Sequence, residues 1–303
     1  MSRRIALLMG GWSNEREVSL TSGRACGRAL EEEGFEVEAV DVGRDLACVL
    51  SALKPDLAFN ALHGGFGEDG SVQGLLEVLG IPYTHSGVRA SALAMNKPAA
   101  KQVFAGVGLR CPDGLVVDVA ELRRGDPIPR PYVVKPVAEG STVGVRIVRQ
   151  GDNAAVLPAD WRFGDRALVE RFIPGRELSV AVLGDAALGV IEIRPHSGFY
   201  DYDAKYTEGL AQHLMPAPIH PEVYDEAMRM ALEAHRALGC RGVSRADLRY
   251  DDMAGEPGEL YLLEVNTQPG MTPLSLVPEI AQHRGIDFRR LVRWMVEDAA
   301  CNR

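Results

Sequence analysis

The 303-residue chain has little of what staples, anchors or coats a protein. Its five cysteines, Cys26, Cys48, Cys111, Cys240 and Cys301, are odd in number, widely spaced and without a C-x-x-C pair. A disulfide framework or a zinc ribbon is therefore not indicated, and a reducing compartment fits. No stretch approaches the ~18 consecutive apolar residues that span a bilayer. Arg3-Arg4 and the apolar run from Ile5 to Met9 could open a signal peptide, but Gly10-Gly11 and the charged Glu15-Arg16-Glu17 cut it short. Cationic excess is also missing: 33 Lys and Arg face 42 Asp and Glu, for a net charge of −9. That argues against a nucleic-acid or anionic-membrane surface. A soluble cytoplasmic protein is expected, in which local Lys and Arg would meet any anionic substrate. The loop after the first strand, Gly10-Gly-Trp-Ser-Asn, lacks G-x-G-x-x-G, which disfavours a Rossmann dehydrogenase, and the loop after Lys135 is not the P-loop G-x-x-x-x-G-K-[ST].

What the chain does have is length enough for two or three domains and an ordinary 46% of hydrophobic residues. Up to about residue 95, strand-like and helix-like segments alternate. Ile5 to Met9 is a short apolar run, Val18 to Glu33 reads as a helix stopped by Gly34, and Phe35 to Val40 alternates as a strand does. Asp56 to Leu62 is a strand, Leu75 to Leu79 is helical, and Ile81 to Tyr83 is a short strand. This order implies a parallel α/β sheet, with Gly-rich loops at residues 10–14 and 63–70 following strand ends, where such sheets bind ligands.

After Met95 strands dominate: Tyr132 to Lys135, Thr142 to Val148, Ala167 to Ile173, and a hairpin of Leu178 to Leu183 with Ala187 to Ile193. Leu122 to Pro131 reads as a surface loop. A helix at about 221–238 carries Val223, Ala227, Met230, Ala231, Ala234 and Leu238 at 3.6 spacing. Strands from Arg245 to Tyr250 and Glu259 to Val265 precede a last helix at about 287–298. Antiparallel sheets with helices on one side are expected here.

The densest chemistry lies in Arg245-Ala-Asp247 and Glu264-Val-Asn266. Residues two apart share a strand face. If the two strands pair as a hairpin, the register that sets Asp247 opposite Glu264 also sets Arg245 opposite Asn266. Two carboxylates, an amide oxygen and a guanidinium then share one face, with Leu248, Leu262, Leu263 and Val265 behind. Such oxygen ligands suit Mg²⁺; the same residues would also make a solvated face with a structural ion pair.

Lys135-Pro-Val-Ala-Glu-Gly-Ser141 sets a lysine at a strand end before a small-residue loop able to meet phosphate, though such loops are often only turns. Glu170-Arg-Phe-Ile-Pro-Gly-Arg-Glu177 offers strand-end backbone to an adenine edge and a carboxylate to ribose, or else an ordinary charged connection. Phe199 to Tyr206, dense in tyrosine and charge, suits a lid or a surface loop with aromatic anchors. Glu15 could hold a substrate ammonium or favour a helix N-terminus.

Together these segments resemble the D-alanine–D-alanine ligases of the ATP-grasp superfamily. The matching stretches are Gly10 to Leu20, Leu62 to Gly70, Ser91 to Lys97, Val134 to Ser141, Phe199 to Tyr206 and Leu263 to Thr272. They stand in family order across nearly the whole chain. The resemblance implies an N-terminal α/β substrate-binding domain over 1–96, a central ATP-grasp domain over 97–177 and a C-terminal ATP-grasp domain with the metal site over 178–303. It implies ATP as co-substrate, phosphates held by Lys97, Lys135 and Lys205, and adenine and ribose held by Glu170, the Ile173 backbone and Glu177. Two Mg²⁺ ions, replaceable by Mn²⁺, would sit on Asp247, Glu264 and Asn266.

The implied reaction makes D-alanyl-D-alanine for peptidoglycan through an acyl phosphate. Arg245 would stabilise that intermediate, and Glu15, Ser141 and Tyr206 would close a hydrogen-bonded lid. His63, Gly270 and Ser275 would position substrate, and a homodimer is expected. Three positions depart from the family pattern: Asn96 where Asp is common, His85 in a usual glycine position, and Gln268 in place of a smaller residue.

Overall fold

The structure, a computed structural model, describes residues 3–140, 142–158, 161–196 and 209–302. Ser141, Lys205, Tyr206 and the whole Phe199–Tyr206 segment fall outside them. The N-terminal layer runs β1 (Arg4–Met9), α1 (Arg16–Glu32), β2 (Glu36–Asp41), α2 (Leu46–Leu53), β3 (Leu57–Asn60) and α3 (Ser71–Leu79). Its three strands form a parallel sheet ordered β2-β1-β3. Strand parity explains why β1 is apolar throughout: Ile5 and Leu7 pack into one core with Leu30, while Ala6 and Leu8 pack into another with Leu46 and Leu76. Ile81 to Tyr83 is not a strand. Tyr83 makes only isolated bridges to Ala58 and Ala300.

Two helices follow, α4 (Val88–Met95) and α5 (Lys97–Gly106). The Asn96 side chain caps α5 by accepting from the Ala99 N–H at 3.1 Å, so the Asp-to-Asn departure keeps a capping oxygen. Pro98 sits in the first turn, where its missing N–H costs nothing.

The middle of the chain holds β4 (Gly114–Asp118), the one-turn α6 (Val119–Leu122), β5 (Tyr132–Pro136), β6 (Arg146–Val148) and β7 (Arg166–Arg171). They form an antiparallel sheet ordered β4-β7-β5-β6. Tyr132, Val134, Ala167 and Val169 face its core, so Val133, Lys135 and Glu170 point the other way, into a cleft. The strand expected from Thr142 begins only at Arg146, because Thr142 and Gly144 take left-handed backbone, with φ of 62° and 73°.

The last part contains β8 (Arg176–Leu183), β9 (Ala186–Pro195), β10 (Ala211–Leu214), α7 (Pro221–Leu238), β11 (Val243–Asp251), β12 (Glu259–Asn266), α8 (Leu276–His283) and α9 (Phe288–Asp298). The strands form an antiparallel sheet ordered β10-β9-β8-β11-β12. Helices cover both of its faces rather than one. Leu178, Val180 and Leu248 pack with α4, α5 and α7, whereas Ala181, Ile191 and Val243 share a core with α8, α9 and the N-terminal sheet. The parallel layer and the five-stranded sheet are thus welded through common apolar residues.

The β11–β12 hairpin has the register that strand parity requires, with Asp247 opposite Glu264 and Arg245 opposite Asn266. One detail differs. A bulge after Asp247 pairs Leu248 with Leu262 and leaves Leu263 over. Leu263 therefore lines the cleft instead of joining the buried face.

Candidate active site

Two cavities meet at the mouth between the antiparallel sheets. The larger, about 450 Å³, lies between β5, β7 and the edge of β8, β9 and β11. The smaller, about 60 Å³, is walled by the loops after β1 and β3 and by the segment following β12. Lys97, Glu139 and Glu264 line both. The two spaces thus share a charged threshold.

Lys97, first residue of α5, donates to the Glu139 carbonyl at 2.7 Å and pairs with Glu264 at 2.9 Å. One helical turn on, Lys101 reaches Glu170 at 2.7 Å, and Lys135 from β5 grips the other oxygen of the same carboxylate. Burial alone would raise the Glu170 carboxyl, but Lys135 and Lys101 together hold it below the usual glutamate range. Burial pushes the Lys135 ammonium down, with Glu170 opposing.

Around the far end, Ile173 and Glu177 line the cleft as expected. The Ile173 carbonyl already accepts from Arg249 at 3.1 Å, and Arg249 also donates to Gly175 O at 2.8 Å and lies 3.6 Å from Glu177. Burial lowers the pKa of this guanidinium; its work here is to set the shape of the β7–β8 turn.

At the threshold, Arg245 holds Asp247 with two bonds of 2.8 and 2.7 Å, and Ser179 donates to Asp247 at 2.6 Å. Asn266 Oδ1 accepts from the Gln268 N–H at 2.9 Å. Arg245, Glu264 and Asn266 line the small pocket, while Asp247 and Glu264 line the cleft. The donors are all oxygens, two of them carboxylate, and cations already sit against both carboxylates. That is a donor set into which a hard divalent ion fits.

Glu15 stands before the first turn of α1 without capping it by a side-chain bond. Its buried carboxylate points into the small pocket instead, so close to the chain that a Cβ on Gly64 or Gly140 would come within 2.8 or 2.9 Å of it. Gly64 also takes left-handed backbone, with φ of 74°, so a side chain there would be strained as well as crowded. His63 is held on both ring nitrogens, by Ser22 at 3.1 Å and Glu68 at 3.3 Å. Gly270 lines the same pocket, and Ser275 sits directly behind it, closing the turn by accepting from Thr272 N at 2.9 Å.

Sequence reading missed Lys101, Glu139, Glu68 and Arg249. Lys101 was findable: Asn96 and Pro98 announce a helix start, and Lys97 and Lys101 are then i and i+4 on one face. Nothing local marks Arg249, whose partners are 74 and 76 residues away.

Two antiparallel sheets clasping a lysine-lined cleft, with a parallel α/β layer against one of them, define an ATP-grasp fold. Family models described as D-ala D-ala ligase C-terminus and D-ala D-ala ligase N-terminus match residues 126–297 and 47–86. The D-alanine–D-alanine ligase of Methylobacterium radiotolerans is 59% identical over all of both chains, and that of Sinorhizobium fredii is 57% identical over 99% of each. The crystal structure of D-alanine–D-alanine ligase from Bacillus anthracis superposes with a TM-score of 0.83 at 32% identity, covering 98% of this chain and 97% of that one. A second structure of the same enzyme, complexed with ATP, gives 0.81 at 28% identity. The chain belongs to the D-alanine–D-alanine ligase family.

Proposed function

We propose that the chain joins two D-alanine molecules into D-alanyl-D-alanine at the expense of ATP, for peptidoglycan synthesis. The observation that carries this reading is the shared threshold of the two cavities. A nucleotide in the cleft, with phosphates toward Lys97 and Lys135, would present its terminal phosphate to an amino acid held in the small pocket. Glu15, which lines that pocket, would receive the amino acid's ammonium, and His63 would line its side. A carboxylate oxygen of the first D-alanine attacks the γ-phosphorus and ADP departs. The amine of the second D-alanine then attacks the acyl carbon, phosphate leaves, and the amine gives up a proton.

Arg245, with its fixed fork of donors, stabilises the acyl phosphate and the tetrahedral oxyanion that follows. Gly270 and Ser275 shape the wall for the second amino acid. Lys97, Lys135 and Lys205 balance phosphate charge, and Glu170, Ile173 and Glu177 form the base and ribose end. Glu170 acts there through Lys135 and Lys101, which it holds. Ser141 and Tyr206 complete the closure with Glu15. Asp247, Glu264 and Asn266 would hold two Mg²⁺, or Mn²⁺ in their place, which would neutralise charge on the transferring phosphoryl group.

The division at residues 96 and 177, a homodimer and a cytoplasmic location belong to the same proposal. No helix among the described residues is long and apolar enough to cross a membrane. Phosphate release from ATP across a panel of D- and L-amino acids, with products weighed by mass spectrometry, tests it. D-alanine should support turnover and give the dipeptide; turnover with L-alanine but not D-alanine overturns the reading.

A further inference from the structure

The segment after β12 meets the end of β3 through one buried side chain. Gln268 is 1% exposed, and its amide is engaged at both ends. Its oxygen accepts from Asn60 Nδ2 at 2.6 Å, and its nitrogen donates to the Leu62 carbonyl. These partners are 208 and 206 residues away in the chain. Asn60, fully buried, is fixed in turn: its oxygen accepts from Leu62 N at 3.2 Å, and Nδ2 also donates to Gly67 O at 3.1 Å. Gln73 donates to that same Gly67 carbonyl at 2.8 Å. A second crossing lies alongside, where Ser22 accepts from Met271 N at 3.3 Å and meets His63 Nε2 at 3.1 Å.

Apolar packing is non-directional, whereas a buried amide satisfied at both ends has one orientation and one distance. Gln268 follows Asn266 and Thr267, which line the small pocket, and it grips the carbonyl immediately before His63, which lines the opposite wall. It lines neither cavity itself.

We propose that Gln268 is a positioning residue that fixes the His63 wall of the small pocket against its Asn266–Gly270 wall. It thereby sets affinity for the amino acid more than for the nucleotide, since the large cleft touches neither wall segment and Asn266 alone of them is among the proposed metal ligands. The identity of the amino acid rests on the function proposed above; the positioning role does not.

The test uses Gln268→Met, which keeps length and loses both side-chain bonds, with Gln268→Ala beside it. In Gln268→Met the KM for D-alanine should rise about tenfold, the worth of a buried bond or two, with the KM for ATP changing less than about twofold. Asn60→Ala should raise the D-alanine KM similarly. The double variant Asn60→Ala/Gln268→Ala should be milder than the product of the two single effects, because both lose the bond they share. Amide exchange without ligands provides a readout that needs no substrate. Exchange at residues 62–64 should speed up in Gln268→Met while β11 stays as in the wild type. Failure of the wild type to ligate D-alanine would strike the proposed reaction only, and exchange would still decide the positioning role. Equal rises in both KM values, additive single effects, or unchanged exchange at residues 62–64 would each overturn it.

Discussion

The cleft contains two clusters of opposite charge, and they are built differently. At its base Glu170, with 2% of its side chain exposed, is clamped between Lys101 and Lys135. At its mouth Glu264, with 30% exposed, meets Lys97, and Asp247 meets Arg245. Removing one member of a buried pair strands the others in a medium that solvates them poorly, so such a cluster behaves as structure. At the mouth only Glu264 is open to water, so its pairing with Lys97 can exchange at low cost, and under the proposed function that is where an incoming ion would enter. The cations of the two clusters are about equally buried, and the exposure of Glu264 sets them apart.

That contrast can be broken by substitution. Glu170→Ala should cost about 3–5 kcal/mol of stability, because two lysines lose their counter-ion deep in the fold; urea unfolding measures it, and a loss near zero would erase the distinction. Glu264→Gln should do the reverse, lowering turnover by about 10³-fold, as losing one group of an electrostatic site does, while the urea midpoint stays put. A destabilised Glu264→Gln with near-normal turnover would make the mouth scaffold too.

The smallest effect is in acid. Since Lys135 and Lys101 outweigh burial and hold the folded-state pKa of Glu170 below its unfolded value, its contribution is full above the ordinary glutamate range. It drains away as pH falls through that range toward the depressed folded value. Urea midpoints followed downward in pH should show this slope in the wild type and a shallower one in Glu170→Gln.

The mouth was legible in the sequence because it is short-range and periodic. Parity along two strands and one hairpin sufficed to put Arg245, Asp247, Glu264 and Asn266 together, in the register the structure has. The α/β layer was legible for a similar reason, β1 and β3 being apolar runs and β2 an alternating one. Helices α4 and α5 escaped because their buried faces are made largely of alanine: Ala90, Ala94 and Ala100 pack fully yet give no apolar rhythm. The base escaped with them, since Lys101 rides on α5. The contacts of Gln268 and Arg249 lie beyond any local pattern, because tertiary docking alone brings their partners near.

The bulge after Asp247 has a consequence for how one strand can serve two masters. A regular ladder would turn Leu263 away from Glu264 and give the cleft a purely wet edge. With one residue to spare, the hairpin sets an oily side chain and an acid next to each other in the cleft, so under the proposed function the same edge would offer an apolar surface beside a ligand for an ion. Deleting Leu263 would amount to a frameshift in space: the strand would still pair, and its two jobs would come apart.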